Sequence, residues 1–255
     1  MVRTGMGNDP VGQRIALVTG ANKGIGFEVA AQLAELGITV VVTARDDARR
    51  QDAAARLREK GGQVHEVALD VTDSSTVEAA ARYVDERLGR LDILVNNAGI
   101  GGDVAAQRPS SADLDMVRKV FDTNYFGVIA VTNAMLPLLR RSAAPRIVNV
   151  TSGLGSLTNQ ADQDHYLVNV PAMAGYPPAK TALNALTVQY AKELRADGIL
   201  VNAIDPGGCD TDFTRGRFTV QRTAAQGAAV AVRLATIPAD GPTGGYFNES
   251  GTVAW

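Results

Sequence analysis

The chain has 255 residues, 45% of them apolar and 20% charged, and its formal net charge is −2 at pH 7. These values are typical of a globular protein, and the small negative charge argues against nucleic acid or an anionic membrane surface as a partner. The single cysteine, Cys209, excludes an internal disulfide and favours a reducing, cytoplasmic location.

No apolar run reaches the roughly 20 residues that a membrane span requires. The first residues, "MVRTGMGNDPVG", are polar and glycine-rich and lack the apolar stretch of a signal peptide. We therefore expect a flexible tail over residues 1–12, followed by one domain over residues 13–255.

Strands and helices alternate from residue 14 onward. "RIALVTG" and "ITVVVTA" are apolar, β-branched runs of the kind that form buried parallel strands, and each is followed by a helical pattern. Because strand–helix–strand crossovers are right-handed, this alternation predicts an α/β fold with a doubly wound parallel sheet and helices on both faces. The predicted strands are 14–20, 38–44, 63–70, 91–99, 146–152, 199–207 and a short one near 244–248; the predicted helices are 24–36, 46–60, 74–88, 113–141, 178–196 and 223–235.

The first strand runs directly into "TGANKGIG", residues 19–26, before the first predicted helix. Glycine permits positive φ and close approach of the backbone to a phosphate, and a helix N-terminus offers free N–H groups. The spacing differs from the common G-x-G-x-x-G dinucleotide pattern, and by itself it also describes an ordinary glycine-rich turn. Its position between strand and helix favours a dinucleotide-binding turn.

The residue after the second strand bears on the choice of cofactor. Enzymes that use NAD usually have Asp or Glu there to bind the ribose 2′-hydroxyl, whereas this chain has Arg45. A cation suits a 2′-phosphate, and Lys23 in the glycine turn is a second candidate for the same group. We interpret Asp46 as the N-cap of the next helix. The sequence thus favours NADP(H) over NAD(H), although both cations are also typical of a solvated surface.

The segment "GYPPAKTALN", residues 175–184, opens a predicted helix with two prolines. Proline suits a first helical turn because its missing N–H needs no partner there. Tyr176 and Lys180 share a face if the helix already holds at Tyr176, but a residue before proline is steered away from helical geometry. By themselves these residues also describe a helix start with an exposed tyrosine and a solvated lysine.

"TGANKGIG", "NNAG" at 96–99, Ser152 in "NVTSG" and the pair Tyr176 and Lys180 together resemble the motifs of the short-chain dehydrogenase/reductases. The motifs occur in that family's order, and the resemblance extends from Arg14 to the C-terminus. It implies a single Rossmann-type domain, a nicotinamide dinucleotide cofactor and oxidoreductase activity on a carbonyl or an alcohol. Within the family, "TGANKGIG", "VVTARD" and "GYFNESGTVAW" look most like the NADPH-dependent carbonyl reductases.

The resemblance also assigns individual residues. Asp70 and Val71 stand where the family binds adenine, and Asn97 stands where it supports the sheet beside the cofactor. Asn124, in "TNYFG", falls on the family's catalytic asparagine. The implied cofactor residues are Gly20, Asn22, Lys23, Gly24, Ile25, Gly26, Arg45, Asp70, Val71, Asn97, Ala98, Gly99, Tyr176, Lys180, Pro206, Gly207 and Thr211; the implied catalytic residues are Asn124, Ser152, Tyr176 and Lys180.

The catalytic roles also follow from carbonyl chemistry. Reduction of a ketone needs a hydride at carbon and a proton at oxygen, where negative charge builds. Tyr176 is the predicted general acid, and Lys180, with the positive nicotinamide of the oxidised state, is expected to lower the phenol's pKa from about 10. Ser152 is expected to hydrogen-bond the substrate oxygen, and Asn124 to hold a water that connects Lys180 to solvent. The ordinary alternatives are a turn hydroxyl for Ser152 and a capping amide for Asn124.

Two segments are expected to enclose the substrate. The connection from Ser152 to Tyr176 is longer than in many relatives and is predicted to cover one side of the cleft, and the stretch after Gly207 is predicted to cover the other. Cys209 is more typical of a small apolar filler than of a nucleophile. No metal site is predicted. The predicted substrate contacts are Ser152, Leu154, Leu157, Met173, Tyr176, Cys209 and Phe213. The second segment also contains Phe218, and its ordinary alternative is plain packing.

The sequence leaves three activities open. The first is NADPH-dependent reduction of a ketone or aldehyde, reversible to alcohol oxidation. The second is a secondary-alcohol or hydroxysteroid-type dehydrogenase working in the oxidative direction, and the third is a non-catalytic sensor that binds the dinucleotide. Such a sensor usually lacks the tyrosine or the lysine, so Tyr176 and Lys180 disfavour it. The expected partner is a small-molecule carbonyl or alcohol, and a homo-oligomer is left open.

Overall fold

The computed structural model describes residues 14–215, 220 and 222–255, so the predicted tail and Phe218 lie outside the described residues. Strands and helices alternate along the described chain, as the sequence predicts. The strands are β1 (Ile15–Val18), β2 (Thr39–Ala44), β3 (Val64–Ala68), β4 (Ile93–Asn96), β5 (Arg146–Val150), β6 (Leu200–Ile204), β7 (Cys209–Asp210), β8 (Arg222–Thr223), β9 (Tyr246–Asn248) and β10 (Gly251–Thr252). The helices are α1 (Gly24–Glu35), α2 (Asp47–Glu59), α3 (Ser74–Leu88), α4 (Leu114–Phe121), α5 (Gly127–Leu139), α6 (Leu157–Ala161), α7 (Tyr176–Glu193) and α8 (Ala224–Ala235).

Eight of the strands form one sheet in the order β10-β9-β6-β5-β4-β1-β2-β3. All neighbouring pairs in it are parallel except β9 with β10. The short strands β7 and β8 pair with each other outside this sheet. The doubly wound parallel sheet predicted from the sequence is therefore confirmed. The sequence did not predict the short strands β7, β8 and β10.

Helices cover both faces of the sheet, because successive side chains of each buried strand point to opposite sides. On β1, Ala16 and Val18 pack on the side of α1 and α8. Ile15 and Leu17 pack on the other side, with α3, α5 and α7. Strand β1 is apolar in every position because both of its faces are buried.

The strand order reverses beside β1, which pairs with β2 on one side and with β4 on the other. In open α/β sheets, ligands bind outside the carboxyl ends of the strands at such a point. The glycine turn after β1 and the loop after β4 accordingly meet there, since the backbone N–H of Asn97 donates to Thr19 Oγ1 at 2.9 Å.

Two helices differ from the prediction. The predicted helix over 113–141 is divided into α4 and α5 by a π-helical turn, Asp122–Phe126. Helix α7 begins at Tyr176 rather than at residue 178. Among the described residues, no helix combines the length and the apolar character needed to cross a membrane.

Candidate active site

A cleft of about 900 Å³ opens where β1, β4, β5 and β6 end. It brings together all of the residues predicted to bind the cofactor, and Ser152 as well, whereas Asn124 lies behind the lining. The predicted cofactor residues on its wall are Gly20, Asn22, Lys23, Gly24, Ile25, Gly26, Arg45, Asp70, Val71, Asn97, Ala98, Gly99, Tyr176, Lys180, Pro206, Gly207 and Thr211.

The turn between β1 and α1 has a backbone that only glycine adopts readily. Gly20 and Gly24 have φ of +63° and +56°, and at Gly26 a Cβ atom would overlap Asn97 Nδ2. Helix α1 starts without a side-chain cap and has no acidic residue in its first turn. Its first N–H groups and positive dipole end are therefore available to an anion. The turn fits the diphosphate of a dinucleotide.

Asn97 joins this turn to the loop after β4. Its Nδ2 donates to the carbonyl oxygens of Thr19 at 2.9 Å and Gly20 at 3.2 Å. The supporting role implied for Asn97 matches this geometry.

The two cations predicted to bind a 2′-phosphate, Arg45 and Lys23, differ in their contacts. Arg45 is exposed directly after β2, and Asp46 caps α2 by accepting from Arg49 N at 2.9 Å, as predicted. Lys23 Nζ instead forms an ion pair with Asp212 Oδ2 at 2.7 Å. The sequence gives no sign of this pairing, because it joins residues far apart in the chain.

Asn124 lies in the π-helical turn and is fully buried. Its Oδ1 accepts from Ile100 N, and its Nδ2 donates to Ile100 O, both at 2.8 Å. A Cβ on Gly99 would lie 3.2 Å from Asn124 Oδ1 and 3.6 Å from Lys180 Nζ. The side chain thus holds the loop after β4 next to Lys180, and its role in binding a water stays a prediction.

Ser152 follows β5 and is held by its backbone. Its carbonyl oxygen accepts from the phenol of Tyr246 at 2.6 Å and from Gly155 N at 2.7 Å. Its Oγ accepts from Leu154 N at 3.2 Å, and the hydroxyl acts to lower the pKa of the Tyr176 phenol on the same cleft. The hydroxyl is therefore aimed at the predicted general acid.

Tyr176 is the first residue of α7, so Tyr176 and Lys180 lie on one face of the helix despite Pro177. Lys180 Nζ lies 5.8 Å from the centroid of the Tyr176 ring. It donates to Val150 O, at the end of β5, at 2.8 Å. The buried lysine thereby joins α7 to the central sheet.

Burial controls the ionisation of both groups. It raises the pKa of the Tyr176 phenol to about 12, although the hydrogen bond with Ser152 acts to lower it. It also lowers the pKa of the Lys180 ammonium from 10.5 to about 8. The pKa of the phenol is therefore raised here, because burial dominates and the charge of Asp205 acts in the same direction. The expected lowering by Lys180 together with an oxidised nicotinamide stays a prediction.

Asp205, directly after β6, is a lining residue that sequence reasoning missed. Its Oδ1 accepts from Gly207 N at 2.9 Å, and its carboxylate also accepts from the backbone N–H of Gly153. Burial raises the pKa of this carboxyl, against those hydrogen bonds and the charge of Arg222. Asp205 thus ties the turn that carries Ser152 to the turn after β6. The sequence signal for Asp205 was an acidic residue directly after a buried strand, at the edge of the sheet where ligands bind.

Four of the predicted substrate residues line the cleft beside Ser152 and Tyr176. The ring of Phe213 lies 5.3 Å from that of Tyr176, and Leu154 packs on the same cluster. The prediction for Leu157 is wrong, because its side chain is 62% exposed and lies outside the cleft lining. The four lining residues are Leu154, Met173, Cys209 and Phe213.

Cys209 behaves as the apolar filler that the sequence suggests. It is 2% exposed, and its Sγ donates to Pro206 O at 3.4 Å. Burial raises the pKa of the thiol. Among the described residues, no group of three or more His, Cys, Asp or Glu side chains is placed to hold a metal ion.

Comparison with known proteins agrees with this geometry. The family model described as short chain dehydrogenase matches residues 14–222. The short-chain dehydrogenase anuI of Penicillium roqueforti is 37% identical over 87% of this chain and 88% of its own length. Salutaridine reductase of Papaver bracteatum is 33% identical over 93% of this chain and 94% of its own.

A solved structure of the same kind is an NADPH-bound carbonyl reductase from chicken fatty liver. It has a TM-score of 0.82 and 31% identity, covering 95% of this chain and 99% of its own. The chain belongs to the short-chain dehydrogenase/reductase family and is an oxidoreductase of that family.

Proposed function

We propose that this protein is an NADPH-dependent reductase that transfers a hydride to a ketone or aldehyde carbonyl, reversibly. The observation that carries the proposal is the convergence of the Ser152 hydroxyl, the Tyr176 phenol and the Lys180 ammonium on one wall of the cleft. The glycine turn, which fits a dinucleotide, lies on the same cleft.

Each side chain has a distinct task in this proposal. The bound dinucleotide supplies the hydride. Ser152 donates a hydrogen bond to the substrate oxygen and keeps it within reach of Tyr176. The phenol, with its pKa raised to about 12, holds its proton at neutral pH and delivers it as charge builds on that oxygen. Lys180 provides positive charge next to the phenolate that remains.

The preference for NADPH rests on Arg45. This exposed cation follows β2, where an enzyme specific for NAD has a carboxylate. The NADPH-bound relative from chicken liver supports the same choice of cofactor. Lys23 contributes to the 2′-phosphate only when it leaves Asp212, so we assign the preference to Arg45.

The wall around Tyr176 favours a neutral, apolar substrate. Ile100, Leu154 and Phe213 pack on the cluster that contains Tyr176, and Asp205 is a lining carboxyl whose charge acts on the phenol. A carboxylate on the substrate would lose its water there, next to the carboxyl of Asp205, and Lys180 already donates to Val150 O. The cations that line the cleft, other than Lys180, lie in the glycine turn, directly after β2, on α2 and in the stretch after β7: Lys23, Arg45, Arg49, Arg56 and Arg215.

The test is oxidation of NADPH, and separately of NADH, by a matched pair of ketones. Acetophenone and para-acetylbenzoate differ by one carboxylate, so the pair isolates the effect of charge. We expect turnover with NADPH and a kcat/KM at least about tenfold higher for acetophenone, because the acid leaves an unpaired charge in the site. A panel of bulkier neutral ketones and diketones extends the assay.

Three other results of this assay would contradict parts of the proposal or favour the non-catalytic sensor. Equal turnover with NADH would contradict the assignment of Arg45, and a preference for the acid would contradict the apolar wall. Binding of NADPH without turnover of any carbonyl would favour the sensor. The cytoplasmic location expected from the sequence stays a prediction, and a homo-oligomer stays open.

A further inference from the structure

The first turn of α7 has fewer backbone N–H groups that need an acceptor than an ordinary helix has. An α-helix normally begins with several N–H groups that lack an intrahelical partner. Here Pro177 and Pro178 have no N–H, and Ala179 N donates to Gly175 O at 2.9 Å. The N–H of Tyr176 is then the amide that needs an acceptor from outside the helix. Gly175, at the N-cap position, has no side chain to provide one.

Gln107 provides that acceptor from 69 residues earlier in the chain. Its Oε1 accepts from Tyr176 N at 2.8 Å. Its Nε2 donates to Gly101 O at 2.8 Å and to Asp103 O at 2.9 Å. The side chain is 0% exposed, and both ends of its amide are satisfied. Three partners of fixed polarity therefore determine which way the amide points.

The neighbouring residues leave space for this contact. A Cβ on Gly175 would overlap the amide oxygen of Gln107. The φ of Gly175 is −104°, so glycine is required there for space rather than for conformation. The backbone oxygen of Gln107 also accepts from Ala174 N at 2.7 Å. Gln107 thus accepts hydrogen bonds from two backbone positions of the segment that leads into α7, Ala174 and Tyr176.

We propose that Gln107 is a positioning residue for Tyr176. It joins the first residue of the catalytic helix to the loop after β4, whose Ile100, Gly101 and Val104 line the cleft. The amide thereby sets the distance from the phenol to Ser152 and to the substrate. This inference rests on the proposed reductase function for its kinetic test, but the hydrogen bond itself is tested independently.

The kinetic test compares Gln107→Leu, Gln107→Glu and the matched control Gln32→Leu. Gln32 also bridges two elements, donating to Ala225 O at 2.9 Å between α1 and α8, outside the cleft. A small displacement of a catalytic group costs up to about 100-fold in rate. We expect kcat of Gln107→Leu to fall between about 10- and 100-fold, with the KM for NADPH changed by less than about threefold. Gln32→Leu should keep the wild-type kcat.

Gln107→Glu gives a pH signature that a purely structural role would not produce. A protonated glutamic acid keeps the acceptor for Tyr176 N and donates to one of the two carbonyls, whereas a carboxylate faces both carbonyls without a donor. The titratable groups next to this position, Asp103 and Tyr176, are common to wild type and variant. The ratio of variant to wild-type kcat should therefore rise as the pH is lowered from 8 to 6.

Hydrogen exchange tests the contact without any turnover. Between Gly175 and Ala179 the prolines carry no amide hydrogen, so the peptide spanning 172–180 reports on Tyr176 with few other sites. We expect faster exchange in this peptide for Gln107→Leu than for Gln32→Leu. If wild type reduces no ketone, the proposed function fails while this measurement still decides whether Gln107 holds the N–H of Tyr176.

A kcat for Gln107→Leu equal to that of wild type, or a flat pH ratio for Gln107→Glu, would overturn the positioning role. Unchanged exchange over 172–180 would overturn the hydrogen bond. Should Gln107→Leu fail to fold, the pH dependence of the kcat ratio of Gln107→Glu to wild type decides, because it needs only the Glu variant to fold.

Discussion

At the scale of single residues, desolvation governs the candidate site. Tyr176 and Lys180 are both buried, and burial disfavours the charged form of each. The phenol therefore keeps its proton up to a pKa of about 12, and the ammonium loses its proton at a pKa of about 8. The neutral phenol suits proton donation to a carbonyl.

The lowered pKa of Lys180 predicts a change of stability with pH. Between the folded value of about 8 and the unfolded value of 10.5, the unfolded chain binds more protons, so the free energy of unfolding rises with pH. At about 1.4 kcal/mol per pKa unit, the gain from pH 7 to pH 10 is about 2 kcal/mol. The raised pKa of Tyr176 acts in the opposite direction, but only above pH 10.

Urea unfolding of wild type and Lys180→Met at the two pH values measures this gain. We expect the stability difference between the two proteins to move by about 2 kcal/mol in favour of wild type at the higher pH. Lys192→Met, which removes an exposed lysine from the same helix, is the control. A difference that is the same at both pH values would contradict the account of Lys180.

Some site residues were accessible from the sequence, and others were not. Ser152, Tyr176 and Lys180 lie within recognisable motifs, and the structure brings them onto one cleft. Gln107 and the pairing of Lys23 with Asp212 depend on residues brought together only by folding. Their partners lie 69 and 189 positions away, so no local pattern marks them.

At the scale of elements, the sequence predicted the strands best because parallel strands buried on both faces are continuous apolar runs. It missed the π-helical turn within 113–141, because that turn is stabilised by contacts of Asn124 with Ile100 in a different loop. It began α7 two residues late, since the acceptor for Tyr176 N lies outside the helix.

The prolines of α7 predict an effect on stability that leaves kcat unchanged. Pro178 is exposed and lies in the first turn, so Pro178→Ala removes no packing and mainly increases the entropy of the unfolded chain. We expect the free energy of unfolding to fall by about 0.5 to 1 kcal/mol in urea titrations. The kcat should stay at the wild-type value, because Gln107 still accepts from Tyr176. A loss of kcat as large as that of Gln107→Leu would mean that the prolines position the tyrosine directly.

At the scale of the whole molecule, the reversal of strand order beside β1 makes the site. It places the glycine turn after β1 on the same cleft as the hydroxyls of Ser152, after β5, and Tyr176, on α7. The sequence predicted this arrangement through the alternation of strands and helices. The sequence did not predict the full set of apolar residues next to Tyr176, because Ile100, Leu154 and Phe213 come from three separate segments.

The most direct test of the central claim is Tyr176→Phe, measured for both turnover and NADPH binding. The substitution removes one hydroxyl from a buried ring and keeps its packing on Phe213. We predict that kcat with NADPH and a neutral ketone falls by about 10² to 10⁴-fold, the usual contribution of a general acid. The dissociation constant for NADPH, from quenching of its fluorescence, should stay within about threefold, a difference of well under 1 kcal/mol. Turnover within tenfold of wild type, at unchanged NADPH affinity, would show that Tyr176 is not the proton donor.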